Sequence, residues 1–140
     1  MYENLAKAAK EAAERARPHI SGYHVGAAIL TVGGDIFVGC NIEFDNFSNT
    51  IHAEECAISN FIANGHLPWY AVAMAVYTKE DKPWLPCGMC RQSIYEIFRD
   101  DFIIVTCNDN GVYKIYTQEE MLPAGYNRRR KLMKDEIEQV

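Results

Sequence analysis

The chain has 140 residues, 14 basic and 19 acidic side chains for a formal net charge of -5, and 49% hydrophobic residues. This composition is globular and not disordered, and an acidic balance suits long nucleic-acid polyanions poorly, since their binding leans on Lys and Arg contacts to phosphate. The longest apolar run, Trp69 to Val76, is less than half of the roughly 20 residues a membrane span needs, so no membrane partner is expected.

Residues 3–17 place Leu5, Ala8, Ala9, Ala12, Ala13 and Ala16 at helical spacing, with Pro18 following, and predict a first helix. Residues 25–31 and 35–40 read as two short strands joined at Val32-Gly33-Gly34. A helix is predicted over 50–64, capped by Thr50, with Glu54 and Glu55 near its start and Gly65 at its end. The continuous apolar run within 69–78 suits a strand buried on both faces. After a polar loop, 87–98 predicts a third helix and 102–107 a fourth strand. Asp109-Asn110-Gly111 then signals a tight turn into a fifth strand over 112–116. So short a connection implies an antiparallel pair. The charged stretch 128–140 is expected to be helical. No linker or repeat interrupts the chain, so one domain over 1–140 is expected, of the α/β class, with one mixed sheet and helices on both faces.

Two segments carry chemistry, His52-Ala53-Glu54 and Pro86-Cys87-Gly88-Met89-Cys90. Together they offer one imidazole, two thiols and a spare carboxylate. Three protein ligands leave the fourth tetrahedral position of Zn2+ open, as catalytic sites require. Cys87 and Cys90 lie three apart at a predicted helix start, where both can face one point and the helix terminus favours thiolate. His52 and Glu54, also near a helix start, can address a point beyond its end, so two helix N-termini are expected to converge on one metal. Two alternatives stay open on residues alone. A closed structural zinc site would need a fourth ligand, for which Cys56, four residues after His52, is the candidate. A redox C-x-x-C pair would leave His52 and Glu54 unexplained. The five cysteines are an odd number, and Met1 to Lys7 show no signal-peptide pattern, so a reduced, cytoplasmic protein is expected.

H-x-E followed by P-C-x-x-C is the signature of the zinc deaminases. The wider pattern resembles the small homotetrameric cytidine deaminases. It is carried by Val25-Gly26-Ala27-Ala28, Gly39-Cys40-Asn41-Ile42-Glu43, Thr50-Ile51-His52-Ala53-Glu54, Pro86-Cys87-Gly88-Met89-Cys90-Arg91-Gln92 and Leu122-Pro123, in the family's order. The resemblance implies a three-layer α-β-α fold with a five-stranded mixed sheet whose last two strands are antiparallel. It implies one Zn2+ per chain on His52, Cys87 and Cys90, and hydrolytic deamination of cytidine or deoxycytidine in pyrimidine salvage. Glu54 would be the catalytic proton carrier, moving the water proton to ring N3 and then to the departing amine. The Ala53 and Cys87 backbones would hold the pyrimidine edge, and Asn41 and Glu43 the sugar. Tyr23 stands where the family has Phe. Phe47 and Tyr126 would close a neighbouring subunit's site in a homotetramer.

The chain also departs from that pattern. His52 stands where the family commonly has Cys, and Glu55 where it has Arg. The changes look coupled, because a neutral imidazole removes the excess negative charge that the Arg would offset. Arg91, beside Cys90, is expected to hydrogen-bond a thiolate. Blasticidin S deaminases share the Tyr23-to-Ala28 pattern and the Leu122-to-Tyr126 ending, and give the runner-up substrate. A nucleic-acid deaminase is disfavoured by the Asn110-Gly111 turn and because Arg128 to Lys131 are balanced by Asp135, Glu136 and Glu138. A non-enzymatic zinc module would not need Glu54.

Overall fold

The computed structural model describes residues 1–126, so the helix expected over 128–140 and the basic cluster within it lie outside the described residues. In chain order the elements are α1 (Glu3–Ala13), β1 (Gly26–Thr31), β2 (Ile36–Cys40), α2 (Ala53–Ala63), β3 (Ala71–Tyr77), α3 (Gly88–Ile97), β4 (Ile103–Asn108), β5 (Gly111–Thr117) and α4 (Gln118–Met121). The strands form one mixed sheet in the order β2-β1-β3-β4-β5. Only β3 and β4 run parallel, joined by the α3 crossover that a parallel pair requires. The final pair is antiparallel as expected, with Asn108 opposite Gly111 across a two-residue loop. Gly111 sits at φ 99°, a conformation glycine adopts without a Cβ penalty.

The period-two alternation of β3 divides the core into two layers. Ala73, Ala75 and Tyr77 face α1 with Leu5, Ala6, Ala9 and Ala13, whereas Met74 and Val76 face α2 and α3 with Phe61, Ile94, Phe98 and Phe102. Burying each of those phenylalanines contributes about 1.5–3 kcal/mol. Small residues bring the helices close to the sheet. A Cβ on Gly26 would lie 1.8 Å from the Ala9 carbonyl oxygen of α1, and one on Gly39 would lie 2.2 Å from the Ala57 amide nitrogen of α2. Glycine is therefore required at both places by close backbone approach.

The structure corrects several expected boundaries. α1 stops at Ala13, and the Arg17 backbone instead pairs with the Asn41–Glu43 segment, donating to Asn41 O and accepting from Glu43 N. Thr50 does not cap α2; His52 occupies that position. Pro68–Tyr70 form a short 3-10 turn, with Pro68 supplying the fixed φ such a start favours, so β3 begins only at Ala71. α4 was not anticipated, although Thr117 and Glu120 form a capping box readable as T-x-x-E.

Candidate active site

α2 and α3 begin at the residues with metal-binding chemistry. His52 is the N-cap of α2 at ψ 153°, and Cys87 is the N-cap of α3 at ψ 168°. Neither end has a side-chain cap, so the positive ends of both helices meet the same space. His52 Nδ1 lies 3.5 Å from Cys87 Sγ and 3.4 Å from Cys90 Sγ. Zn–N near 2.0–2.1 Å and Zn–S near 2.3 Å at a tetrahedral angle separate N and S by about 3.6 Å. The donor set therefore fits Zn2+, and its ligand atoms all lie within 4.8 Å of one another.

Among the described residues, this is the one group of three or more His, Cys, Asp or Glu side chains so gathered. Cys56 is not in it. It neighbours Cys40 instead, whose thiol is pushed up first by burial and then by Cys56. Among the described residues, the structural four-ligand alternative thus has no fourth ligand. Glu54 is also outside the ligand set, yet it sits against Cys90. Burial pushes the Glu54 carboxyl above its ordinary range. Burial likewise pushes the Cys90 thiol up, with the Glu54 charge the next cause.

A cavity of about 320 Å³ opens onto this cluster. His52, Ala53, Glu54 and Cys87 line it together with Asn41, Glu43, Tyr23 and Phe47. Seven of the residues singled out from sequence for the site beyond the zinc ligands and Glu54 were Ala53, Tyr23, Asn41, Glu43, Phe47, Arg91 and Tyr126; the last two are absent from this lining. The side-chain hydrogen bonds of Arg91 go to backbone carbonyls instead of a thiolate. Its Nε donates to Pro86 O at 2.7 Å and its guanidinium also donates to Met121 O at 3.2 Å, tying the entry to α3 to the end of α4. Tyr126 is 61% exposed, and its carbonyl accepts from Gln92 Nε2 at 3.0 Å. Phe47 is 53% exposed at the cavity mouth.

Asn41 and Glu43 do line the cavity, but both are already engaged. Asn41 Nδ2 donates to Tyr23 O at 2.7 Å and its Oδ1 accepts from Val25 N at 2.9 Å. Glu43 accepts from Ile20 N at 3.0 Å, from Ser21 N at 2.7 Å and from the Ser21 hydroxyl at 2.6 Å. These bonds anchor the 20–25 segment that forms one wall. Sequence reasoning missed Trp84, which closes that wall by packing its ring 4.4 Å from that of Tyr23. Its place two residues before Pro86-Cys87 was the available signal. A larger cavity, about 910 Å³, also borders Tyr23, but its mixed Lys10, Glu14, Lys79 and Asp81 lining includes neither a zinc ligand nor Glu54.

Comparison with known proteins agrees with this geometry. The family described as "Cytidine and deoxycytidylate deaminase zinc-binding region" matches residues 1–106. The chain belongs to this family. Its His52, Cys87 and Cys90 provide the family's zinc site, one ion per chain. The cytidine deaminase of Sporosarcina psychrophila is 33% identical over 126 residues, 90% of this chain and 91% of that protein. A Blasticidin-S deaminase of Bacillus cereus is 32% identical over 112 residues, 76% of this chain and 79% of that protein. The crystal structure of cytidine deaminase from Burkholderia pseudomallei matches with a TM-score of 0.85 at 32% identity, covering 90% of this chain and 99% of that one. Among the described residues, no helix is long and apolar enough to cross a membrane.

Proposed function

We propose that this family member hydrolyses the exocyclic amine of the cytosine ring in a free nucleoside, converting cytidine or deoxycytidine to uridine or deoxyuridine and ammonia. The observation that carries the reading is one small cavity holding a three-ligand zinc set and a buried carboxylate that does not join it. In the reaction a C4–O bond forms, the C4–N bond breaks, and the water protons end on ring N3 and the amine. Zn2+ bound by His52, Cys87 and Cys90 supplies the Lewis acidity that makes water acidic near neutral pH.

Glu54 is the proton carrier. Its buried carboxyl, against Cys90 yet outside the ligand set, is placed to accept the water proton and to return it to the substrate. The Ala53 and Cys87 backbones hold the pyrimidine edge, and Tyr23, backed by Trp84, offers its ring as a wall. Asn41 and Glu43 contact the sugar with the hydrogen-bonding capacity left after they anchor the neighbouring segment. The exposure of Phe47 and Tyr126 supports their closing the site of a neighbouring subunit in a homotetramer. Two thiol ligands among five cysteines, none of them in a disulfide, support a reducing compartment such as the cytoplasm.

The relation to the Bacillus cereus Blasticidin-S deaminase makes blasticidin S the first modified cytosine nucleoside to compare. The test is zinc-loaded protein against cytidine, deoxycytidine, blasticidin S and cytosine-containing oligonucleotides, followed by ultraviolet absorbance and ammonia release. Turnover of the free nucleosides, lost on chelation and restored by Zn2+, is expected. Turnover of oligonucleotides alone would refute the reading.

A further inference from the structure

Among the described residues, one buried side-chain oxygen in the cavity wall has no partner. The Glu43 carboxylate takes three bonds from Ile20 and Ser21, the Asn41 amide spans Tyr23 O and Val25 N, and Thr78 Oγ1 accepts from Trp84 N at 3.0 Å. Thr50 also lines the cavity, and its hydroxyl oxygen is buried without a hydrogen-bond partner. Buried hydroxyls are normally paired, because leaving one unpaired forfeits its hydration with no return.

The ordinary explanation for a threonine just before a helix is capping, and it does not apply here. The N-cap of α2 is His52. The position of Thr50 suggests another use. Ile42 and Ile51 exchange backbone hydrogen bonds of 2.9 Å in each direction, which sets the Thr50 end of the loop beside the segment bearing Asn41 and Glu43. Thr50 as a residue is only partly buried, so part of its surface meets the cavity while its oxygen is covered. Rotation about χ1 exchanges the hydroxyl and methyl, two groups of similar size, between staggered wells that threonine readily occupies. A polar ligand atom in the cavity gives the hydroxyl a partner that the protein itself does not supply.

We propose that Thr50 is a specificity residue whose hydroxyl hydrogen-bonds a sugar hydroxyl of the bound nucleoside, beside Asn41 and Glu43. The proposal rests on the nucleoside reading above and adds a residue to it. The test compares Thr50→Val, which keeps the shape, with Thr50→Ser, which keeps the hydroxyl. In Thr50→Val, zinc content and thermal midpoint should equal or exceed those of the wild type, because an unpaired buried hydroxyl is removed. KM for cytidine should rise about tenfold, the effect of losing one neutral hydrogen bond, with kcat changed less than about twofold. Thr50→Ser should return KM to within about threefold of wild type. Across 2′-, 3′- and 5′-deoxycytidine, the Thr50→Val penalty should vanish for the one analogue that lacks the contacted hydroxyl.

An unchanged KM in Thr50→Val, a penalty equal for all three analogues, no rescue by serine, or a fall in thermal midpoint would each overturn the assignment while leaving the deaminase reading intact. A zinc-loaded wild type that turns over no free cytosine nucleoside would overturn both.

Discussion

Replacing Gly39 with alanine tests whether the distance between α2 and the sheet governs the metal site. A Cβ at Gly39 would lie 2.2 Å from Ala57 N and 2.7 Å from both Ala53 O and the Cys56 carbonyl carbon. Ordinary contact begins at 3.4 Å, so going from 2.2 to 3.4 Å requires α2 to retreat by about 1.2 Å. All three obstructing atoms are backbone, so no side-chain rotation can relieve them. Overpacking of this kind costs about 1–3 kcal/mol, and a backbone obstacle belongs at the upper end. α2 carries His52 and Glu54, while Cys87 and Cys90 are held on α3. The same shift therefore displaces His52 from thiols it now meets at 3.4 and 3.5 Å. Displacements near 1 Å in a catalytic constellation cost on the order of 10²-fold in rate.

The assay is urea unfolding, zinc retention against a competing chelator, and cytidine turnover at saturating zinc. Gly39→Ala should lose stability by about 3 kcal/mol, release zinc at lower chelator concentration, and turn over about 10²-fold more slowly. Gly33→Ala is the control, since its Cβ would meet only Thr31 Oγ1 at 3.9 Å, and its stability should change by less than about 0.5 kcal/mol. A Gly39→Ala protein with wild-type stability and zinc affinity would refute the argument that close helix-to-sheet approach sets the site.

Glu54→Gln should keep its zinc and lose about 10²–10⁴ in kcat, measured on protein whose metal content has been verified; near-normal turnover would remove Glu54 from the proton path. Tyr126→Ala should weaken substrate binding without unfolding the chain, and mixing it with Glu54→Gln should recover activity, because a mixed oligomer can assemble Glu54 and Tyr126 from different chains at one site. Sedimentation checks the assembly, and no recovery in verified mixed oligomers would disprove the shared site. Burial alone would raise the Glu43 carboxyl, but the hydrogen bonds from the Ser21 hydroxyl and the Ser21 and Ile20 amides outweigh it and hold it below its ordinary range. A folded-state value below the unfolded one gives stability that is complete above about pH 5 and is lost as pH falls through the folded value. The unfolding free-energy difference between wild type and Glu43→Gln should therefore be flat above about pH 5 and shrink in more acidic urea titrations; a pH-independent difference would mean the three bonds do not favour the carboxylate.

The zinc ligands could be read without a fold because metal chemistry narrows both residue type and spacing. Few side chains bind Zn2+, and a C-x-x-C at a helix start can bring both sulfurs to one point. The strands and helices could be read because burial imposes periods of two and 3.6 on the sequence. The Asp109-Asn110-Gly111 turn, too short for a crossover, also implied the antiparallel orientation that the last strand pair has. Resemblance to a family singled out Asn41, Glu43 and Phe47, which line the cavity, and Tyr126, which does not; their local sequence reads only as polar turn or stray aromatic.

Other features depended on contacts between distant segments. Arg91 sits next to a thiolate ligand in sequence, yet its guanidinium goes to Pro86 O and to Met121 O. Glu43 is anchored to Ser21, and Trp84 stacks against Tyr23, through segments that meet only in the folded chain. The threonine that looked like a helix cap instead leaves its hydroxyl unpaired beside the cavity. Local composition and periodicity report what a residue can do and which way its backbone runs. Which polar atoms are already paired, and which remain for a ligand, depends on packing between elements far apart in sequence, so only the tertiary structure decides it.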